Sequence, residues 1–303
     1  MYAATLLSQR RKAQSAMEYL MTYGWAILII AVVLGALFEL GVFSGTFFMP
    51  HVPPGSCHVF RPYGPGTVGS INLEGECQGA LPQYVAEFNG KSSSVSTPLV
   101  FPPGSSETNF TLSAWVYTTG VCSTGNFYCG IVDADNGGNG WGLMSGQTTS
   151  DFWILDSSPP GVQDMEFSIP HSSWTQIVVT YQVNSGNYLA RAYVNGALVD
   201  TAARSAISLP EPYPLQIGIA RGSSGMVFNG SISNVQLYNA TLSSNTISSL
   251  YSEGIGGAPI NLQNLVGWWP LNGNANDYSG NNNDGTAVNV IYTSNWESGY
   301  TQP

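Results

Sequence analysis

Asp164 and Glu166 lie two apart in VQDMEF, so on an extended strand both carboxylates share one face. Paired acids suit glycoside hydrolysis, provided that they face each other across a groove. Nothing else in the chain adds nucleophilic or phosphate chemistry. His51, His58 and His171 have no metal or nucleophile spacing, and there is neither a G-x-S-x-G turn nor a phosphate-binding glycine loop. We therefore expect no catalysis. Hard oxygen ligands are more plentiful. DADNGGNG (Asp133–Gly140) and NDYSGNNNDG (Asn276–Gly285) set Asp and Asn on glycine-rich turns, the ligand type calcium prefers. The first stretch lacks the bidentate Glu that closes an EF-hand. Two readings stand: a calcium ion with Asp277 and Asp284 as preferred ligands, or turns whose Asn, Asp and Gly tolerate left-handed backbone. Tyr128, Trp141 and Trp153 lie in or near the loop-rich region 122–156. Aromatic rings exposed there would stack on sugar rings; the other home for each is the core. Asn109-Phe-Thr, Asn229-Gly-Ser and Asn239-Ala-Thr are acceptor sequences for N-glycans outside the cell.

The background of these groups is unusual. Charged residues make up 9% of the chain, against about 25% in ordinary domains. Aromatics reach 12%, which a disordered chain would not carry. The surface is therefore neutral and polar, rich in hydroxyls and amides. The net charge is -10, and three of the eight bases (Arg10, Arg11, Lys12) sit together near the start. That sign excludes nucleic acid, whose phosphates need Lys and Arg. Four cysteines, Cys57, Cys77, Cys122 and Cys129, allow three pairings. The short loops Cys57–Cys77 and Cys122–Cys129 are the economical choice. Disulfides imply an oxidising, extracellular setting.

Two kinds of element must carry these residues. Tyr19 to Phe38 holds no charge over twenty residues, about 30 Å of helix and the thickness of a bilayer core. The basic cluster before it keeps the start cytoplasmic and sends everything after Phe43 outward. Ala31 and Gly35, then Gly41 and Gly45, offer small faces for helix packing. Arg10 to Leu20 reads RRKAQSAMEYL. This stretch resembles the class III leader of archaeal type IV pilin-like proteins, although Ser15 and Leu20 fall earlier than in the family pattern. The resemblance covers roughly the first 45 residues. It implies a prepilin peptidase cut between Ala13 and Gln14, a leader over 1–13 and a packing helix over 14–45. It also implies an assembly role for Glu18. One turn from the new amine at Gln14, its carboxylate faces the positive helix end and a neighbouring subunit. The alternative is that Glu18 marks the headgroup level of a plain anchor. Residues 46–83, with MPHVPPGS at their start, read as a stiff linker carrying the Cys57–Cys77 segment.

Beyond Tyr84 the period becomes two. FTLSAWVY (Phe110–Tyr117), WTQIVVTY (Trp174–Tyr181), YLARAYVNG (Tyr188–Gly196) and GSISNVQLY (Gly230–Tyr238) predict strands, with turns at Ser185-Gly186, Asn195-Gly196 and Asn229-Gly230. Ser243 to Glu253 predicts one helix, capped by Ser243 or Ser244 and ended by Gly254. These segments, with YVAEFNGKSSSVSTP (Tyr84–Pro98), resemble the laminin-G-like, concanavalin A-like jelly roll in order and spacing. The implied fold is mainly β: a long N-terminal hydrophobic helix followed by an antiparallel jelly-roll sandwich over 84–303. VGWWPLNGNANDYSGNNNDGT (Val266–Thr286) resembles the opening of such a domain, yet here it nears the end. We expect residues 260–292 to dock back onto the single sandwich, since seventeen further residues cannot build a second core.

The resemblances together imply a cell-surface subunit. Its helix waits in the membrane, then packs with copies of itself or other pilins into a filament, while the head is displayed for adhesion, chiefly to glycans. An anchored lectin-like protein that never polymerises is the alternative. A surface glycosidase is a third, although VQDMEF lacks the Glu-x-Asp-x-Glu pattern of sandwich glycosidases.

Overall fold

The computed structural model describes residues 21, 23–39, 49–78, 80–101, 109–119, 122, 128–135, 140–146, 150–155, 163–205, 213–220 and 226–303. The chain divides into two units, Met1–Phe48 and Met49–Pro303. In the first, residues 23–39 form helix α1. Ile27, Leu28, Ile29 and Ile30 span a full turn and are all more than half exposed, at 65%, 52%, 58% and 57%. Ala13, Gln14 and Glu18 lie outside the described residues, as does part of the expected span 19–38. Among the described residues no helix is long and apolar enough to cross a membrane.

The second unit opens with β1 (His51–Val52), β2 (Cys57–Phe60), β3 (Asn72–Gly75) and β4 (Leu81–Pro82). There follow β5 (Val85–Asn89), β6 (Ser94–Val100), β7 (Phe110–Thr118), β8 (Tyr128–Asp133), β9 (Gly140–Gly146), β10 (Ser150–Leu155) and β11 (Gln163–Phe167). Next come β12 (Trp174–Asn184), β13 (Asn187–Val194), β14 (Ala197–Ser205), β15 (Pro214–Ile217), β16 (Ile219–Ala220), β17 (Met226–Val227) and β18 (Asn229–Tyr238). Helix α2 (Ser244–Ser252) leads to β19 (Leu265–Trp269), β20 (Thr286–Val288) and β21 (Ile291–Thr293).

The front sheet runs β11-β10-β9-β8-β15-β6-β20, with β17 joining β8 and β16 joining β17. The back sheet runs β14-β13-β12-β7-β18-β5-β21, with β19 beside β18. Asn195 (φ 50°) and Gly196 (φ 76°) make the tight link between β13 and β14, a turn that needs positive φ at both places. The space between the sheets is filled by Phe88, Leu112, Leu143, Ile177, Phe228 and their neighbours. The back sheet is buried on its other face too. Val59, Tyr238, Ile247 and Trp268 form one layer there, and Leu81, Trp115, Trp174 and Trp296 form another. Burial on both faces encloses polar residues as well: Thr111 and Ser113 of β7 and Gln176 and Thr180 of β12 are buried. In α2, Ser243 accepts from the Thr246 amide, and Ile247 and Leu250 face the sheet.

Two expectations about the flanks meet different ends. The predicted linker 46–83 is not a spacer from Met49 onward. β1 pairs with β4, and Val59 and Leu81 are each 2% exposed. The buried Arg61 explains the attachment. Its guanidinium donates to Thr67 O and also reaches the C-terminal segment, at Ser279 O (2.9 Å), Leu262 O (3.1 Å) and Leu265 O (2.9 Å). The C-terminal segment folds back onto the sandwich. β19 pairs with β18, β20 with β6 and β21 with β5, so it extends both sheets. Trp269 enters the main core and Trp268 the outer layer, as consecutive strand residues must.

Candidate functional site

Strand register brings distant residues of the front sheet into one line. Thr286 pairs with Ser96, Ser96 with Gln216, Gln216 with Asp133, Asp133 with Gly142, Gly142 with Trp153, and Trp153 with Gln163. Directly paired residues share a face. The adjacent line, Val95, Ile217, Val132, Leu143 and Met165, belongs to the core. The Ser96–Gln216–Asp133–Gly142–Trp153 line is therefore the outer one.

Its side chains are polar, open to solvent at Ser96 and Thr286 and enclosed from Gln216 to Gly142. Ser96 Oγ donates to Gln216 Oε1 (2.7 Å), and Gln216 Nε2 donates to Pro214 O (3.3 Å). Asp133 is fully enclosed, and its Oδ2 accepts from the Asp135 amide at 3.3 Å. Gly142 makes room for that carboxylate. A Cβ there would lie 2.6 Å from Asp133 Oδ1 and 2.7 Å from Met144 Cε. Two residues along, on the same face, Asp151 pairs with Glu166 and with Met144. The two lines hold amide, hydroxyl and carboxylate groups and no Lys or Arg.

The aromatic trio separates. Trp141 is a correction to the sequence reading: it is 0% exposed, packs on Phe110 with ring centroids 5.1 Å apart and tilted, and donates from Nε1 to Phe101 O at 3.0 Å. It pairs with Ile154, on the core side of β9, because core packing takes a large apolar ring that has a carbonyl partner within reach. Trp153, one residue earlier on β10, falls in the outer line. Tyr128, half-buried, opens β8, the strand that ends at Asp133.

Asp277 and Asp284 do not fit a calcium site. Asp277 Oδ1 accepts from the Trp268 and Ser279 amides, and Oδ2 from Ser279 Oγ and the Asn283 amide, each at 2.9 Å. Asp284 Oδ1 accepts from the Asp277 amide at 2.8 Å. Those lone pairs already organise the turn, and a cation would have to displace several donors. Asp277 also raises the Arg61 pKa, against the larger desolvation that lowers it. Among the described residues no three His, Cys, Asp or Glu side chains gather into a metal site.

Cys57–Cys77 and Cys122–Cys129 are both bonded, with Cα separations of 4.9 and 5.7 Å. The three glycan acceptors differ. Asn109 is half-buried and its Oδ1 accepts from the Val183 amide (2.8 Å). Asn229 is half-buried and donates to Thr119 Oγ1 (3.4 Å), whereas Asn239 is exposed. Sequence reading missed Ser96, Gln216 and Gly142. Their only signal is cross-strand pairing, which no local pattern carries.

The model of the concanavalin A-like lectin/glucanases superfamily matches residues 89–248, from the last residue of β5 into α2, so the chain belongs to that superfamily. No curated protein matches the chain in sequence. Among solved structures, a candidate carbohydrate-binding protein from Bacteroides ovatus is similar, with TM-score 0.52 and 13% identity, covering 75% of this chain and 64% of that one. A heptameric SAP-like pentraxin from Limulus polyphemus has TM-score 0.48 and 12% identity, with 70% and 94% covered. The receptor-binding domain of botulinum neurotoxin D has TM-score 0.43 and 16% identity, with 56% and 43% covered. The chain thus spans less than two thirds of the Bacteroides protein and of the toxin domain. At these identities the likeness is one of fold.

Proposed function

Because the chain belongs to the concanavalin A-like lectin/glucanases superfamily, we propose that the outer face of its front sheet binds neutral glycans for surface adhesion. The observation that carries this reading is the Ser96–Gln216–Asp133–Gly142–Trp153 line. Hydroxyls of a sugar need directional donors and acceptors; Ser96 and Thr286 are exposed on this face, with Gln216 and Asp133 beside them in register. The carboxylates of Asp133, Asp151 and Glu166, in a chain of net charge -10, select against anionic sugars. The full chain in detergent is to be screened against immobilised neutral oligosaccharides. Trp153→Ala and Gln216→Ala are expected to weaken binding at least ten-fold, roughly 1.4 kcal/mol; Gln216 is 9% exposed and hydrogen-bonded, so melting curves must show that the variant is still folded at the assay temperature. Binding of no neutral sugar, or binding indifferent to both changes, removes the reading.

The same chain is read as a type IV pilin-like subunit, processed by a prepilin peptidase and displayed with its head outside the cell. Two observations support this: the RRKAQSAMEYL start, and a helix α1 whose apolar side chains are exposed on every side. A helix apolar all round belongs in lipid or among other helices. The N-terminal residue of the native protein tests it by intact mass. A start at Gln14 supports processing, and an intact Met1 leaves an anchored lectin-like protein that does not polymerise.

A further inference from the structure

On the side of the second unit away from the front sheet, a cleft of ≈ 540 Å³ opens between residues 68–71 and residues 260–263. Val68, Ile71 and Ile260 supply apolar wall, and Ser70, Asn261 and Gln263 supply hydroxyl and amide groups. No charged side chain lines it. Val68 is 65% and Ile260 41% exposed, so the wall is open to a ligand. The exposed amide of Gln263 and the hydroxyl of Ser70 have no hydrogen-bond partner among the described residues. Tyr63, 72% exposed, lays its ring over Gly69, between two lining residues; a Cβ at Gly69 would be 3.4 Å from Tyr63 Cδ2.

The cleft is built rather than accidental. Arg61, 8% exposed, sits beneath it and donates to carbonyls on both sides: Thr67 O next to Val68, and Leu262 O at 3.1 Å. One guanidinium therefore fixes the separation of the two walls, and its remaining donors are anchored on Leu265 O and Ser279 O. A neutral, pre-organised cleft with an exposed aromatic ring beside it, the free amide of Gln263 and apolar patches matches the two surfaces of a sugar ring. Its C–H face packs on apolar groups and its hydroxyls meet amides. An anion would find no cation there, and a cation no carboxylate.

We propose that this cleft is a second binding site for a neutral saccharide, separate from the front sheet. The proposal rests on the glycan-binding reading above. The test uses the full chain in detergent and a panel of neutral hexose and N-acetylhexosamine oligosaccharides. Val68→Trp fills the cleft and Gln263→Ala removes its free amide; both residues are exposed, so folding is not at stake, and melting curves check this. Trp153→Ala addresses the front sheet. The expected result is at least one sugar whose affinity falls ten-fold or more in Val68→Trp and Gln263→Ala but holds in Trp153→Ala. If every bound sugar is lost in Trp153→Ala and none responds to the cleft variants, the cleft proposal is overturned and the sheet reading stands. If binding follows only the cleft variants, the cleft stands and the sheet reading falls. If wild type binds no sugar in the panel, both fall.

Discussion

Tyr292 is held by burial in its neutral form: its hydroxyl is enclosed without a hydrogen-bond partner, and its pKa is pushed up to about 12. Tyr238 shifts in the same direction for the same first cause, with its hydroxyl donating to Gln236 Oε1 at 2.6 Å. An unfolded phenol titrates near 10, so each raised group gives its full stabilisation below about pH 10. That stabilisation is lost as pH climbs from there through the folded value. Urea midpoints are therefore expected to be flat from neutrality to about pH 9 and to fall steeply above about pH 10. Tyr292→Phe removes a buried hydroxyl that bonds to nothing. It is expected to raise stability by about 1 kcal/mol at neutral pH and to flatten the alkaline limb. A loss of stability at neutral pH would show that the hydroxyl has a partner after all. The two tryptophans teach a related lesson at this scale. Trp141 and Trp153 look alike in sequence, and only the register Ile154↔Trp141 and Trp153↔Gly142 sends one to the core line and the other to the outer line.

The hairpin of β2 and β3 shows what an element can lack on its own. All four residues of β3 are exposed, so the burial of the pair comes from β2 alone, chiefly Val59. Cys57–Cys77 closes its loop, and a crosslink over about 20 residues contributes roughly 3 kcal/mol through the unfolded chain. Reduction is expected to raise amide exchange across 57–75 while β7 and β12, buried on both faces, stay protected. Unchanged exchange across the hairpin would assign its order to Arg61 alone. The strands of the sandwich were legible because each is written locally, in alternation or β-branched runs between turns such as Asn195-Gly196. Helix α2 was legible through its Ser243 cap and the spacing of Ile247 and Leu250. The attachment of 49–82 was not, because Pro-rich sequence predicts stiffness and says nothing of where Arg61 will find carbonyls. Asp277 misled for a parallel reason: a residue that could ligate calcium is equally able to accept four hydrogen bonds from its own turn. The outer line was invisible since β15 joins β6 and β8 from far along the chain, and no local pattern sets the register of β8, β9 and β10 against them.

At the scale of the molecule, the proposed reading gives assembly to the apolar helix and glycan binding to the concanavalin A-like head. A single shallow sheet face gives modest affinity for a neutral sugar, because association costs freedom that few hydrogen bonds offset. Repetition changes this. If the helices assemble, each filament presents many heads at fixed spacing, and binding to a clustered glycan surface can exceed that of one head by about 10²- to 10⁴-fold without a new contact. Glu18→Ala should separate the two levels. It leaves the head untouched, so binding of a soluble oligosaccharide by the detergent-held chain is expected to be unchanged. In the pilin-like reading it removes the carboxylate that would select register, so sedimenting filaments and tight adhesion to a dense glycan surface should be lost together. Both kinds of binding should vary little with salt, since neither the line nor the cleft offers a cation to an anionic ligand. Adhesion that survives in Glu18→Ala without filaments would place the work in single heads and leave the helix as an anchor.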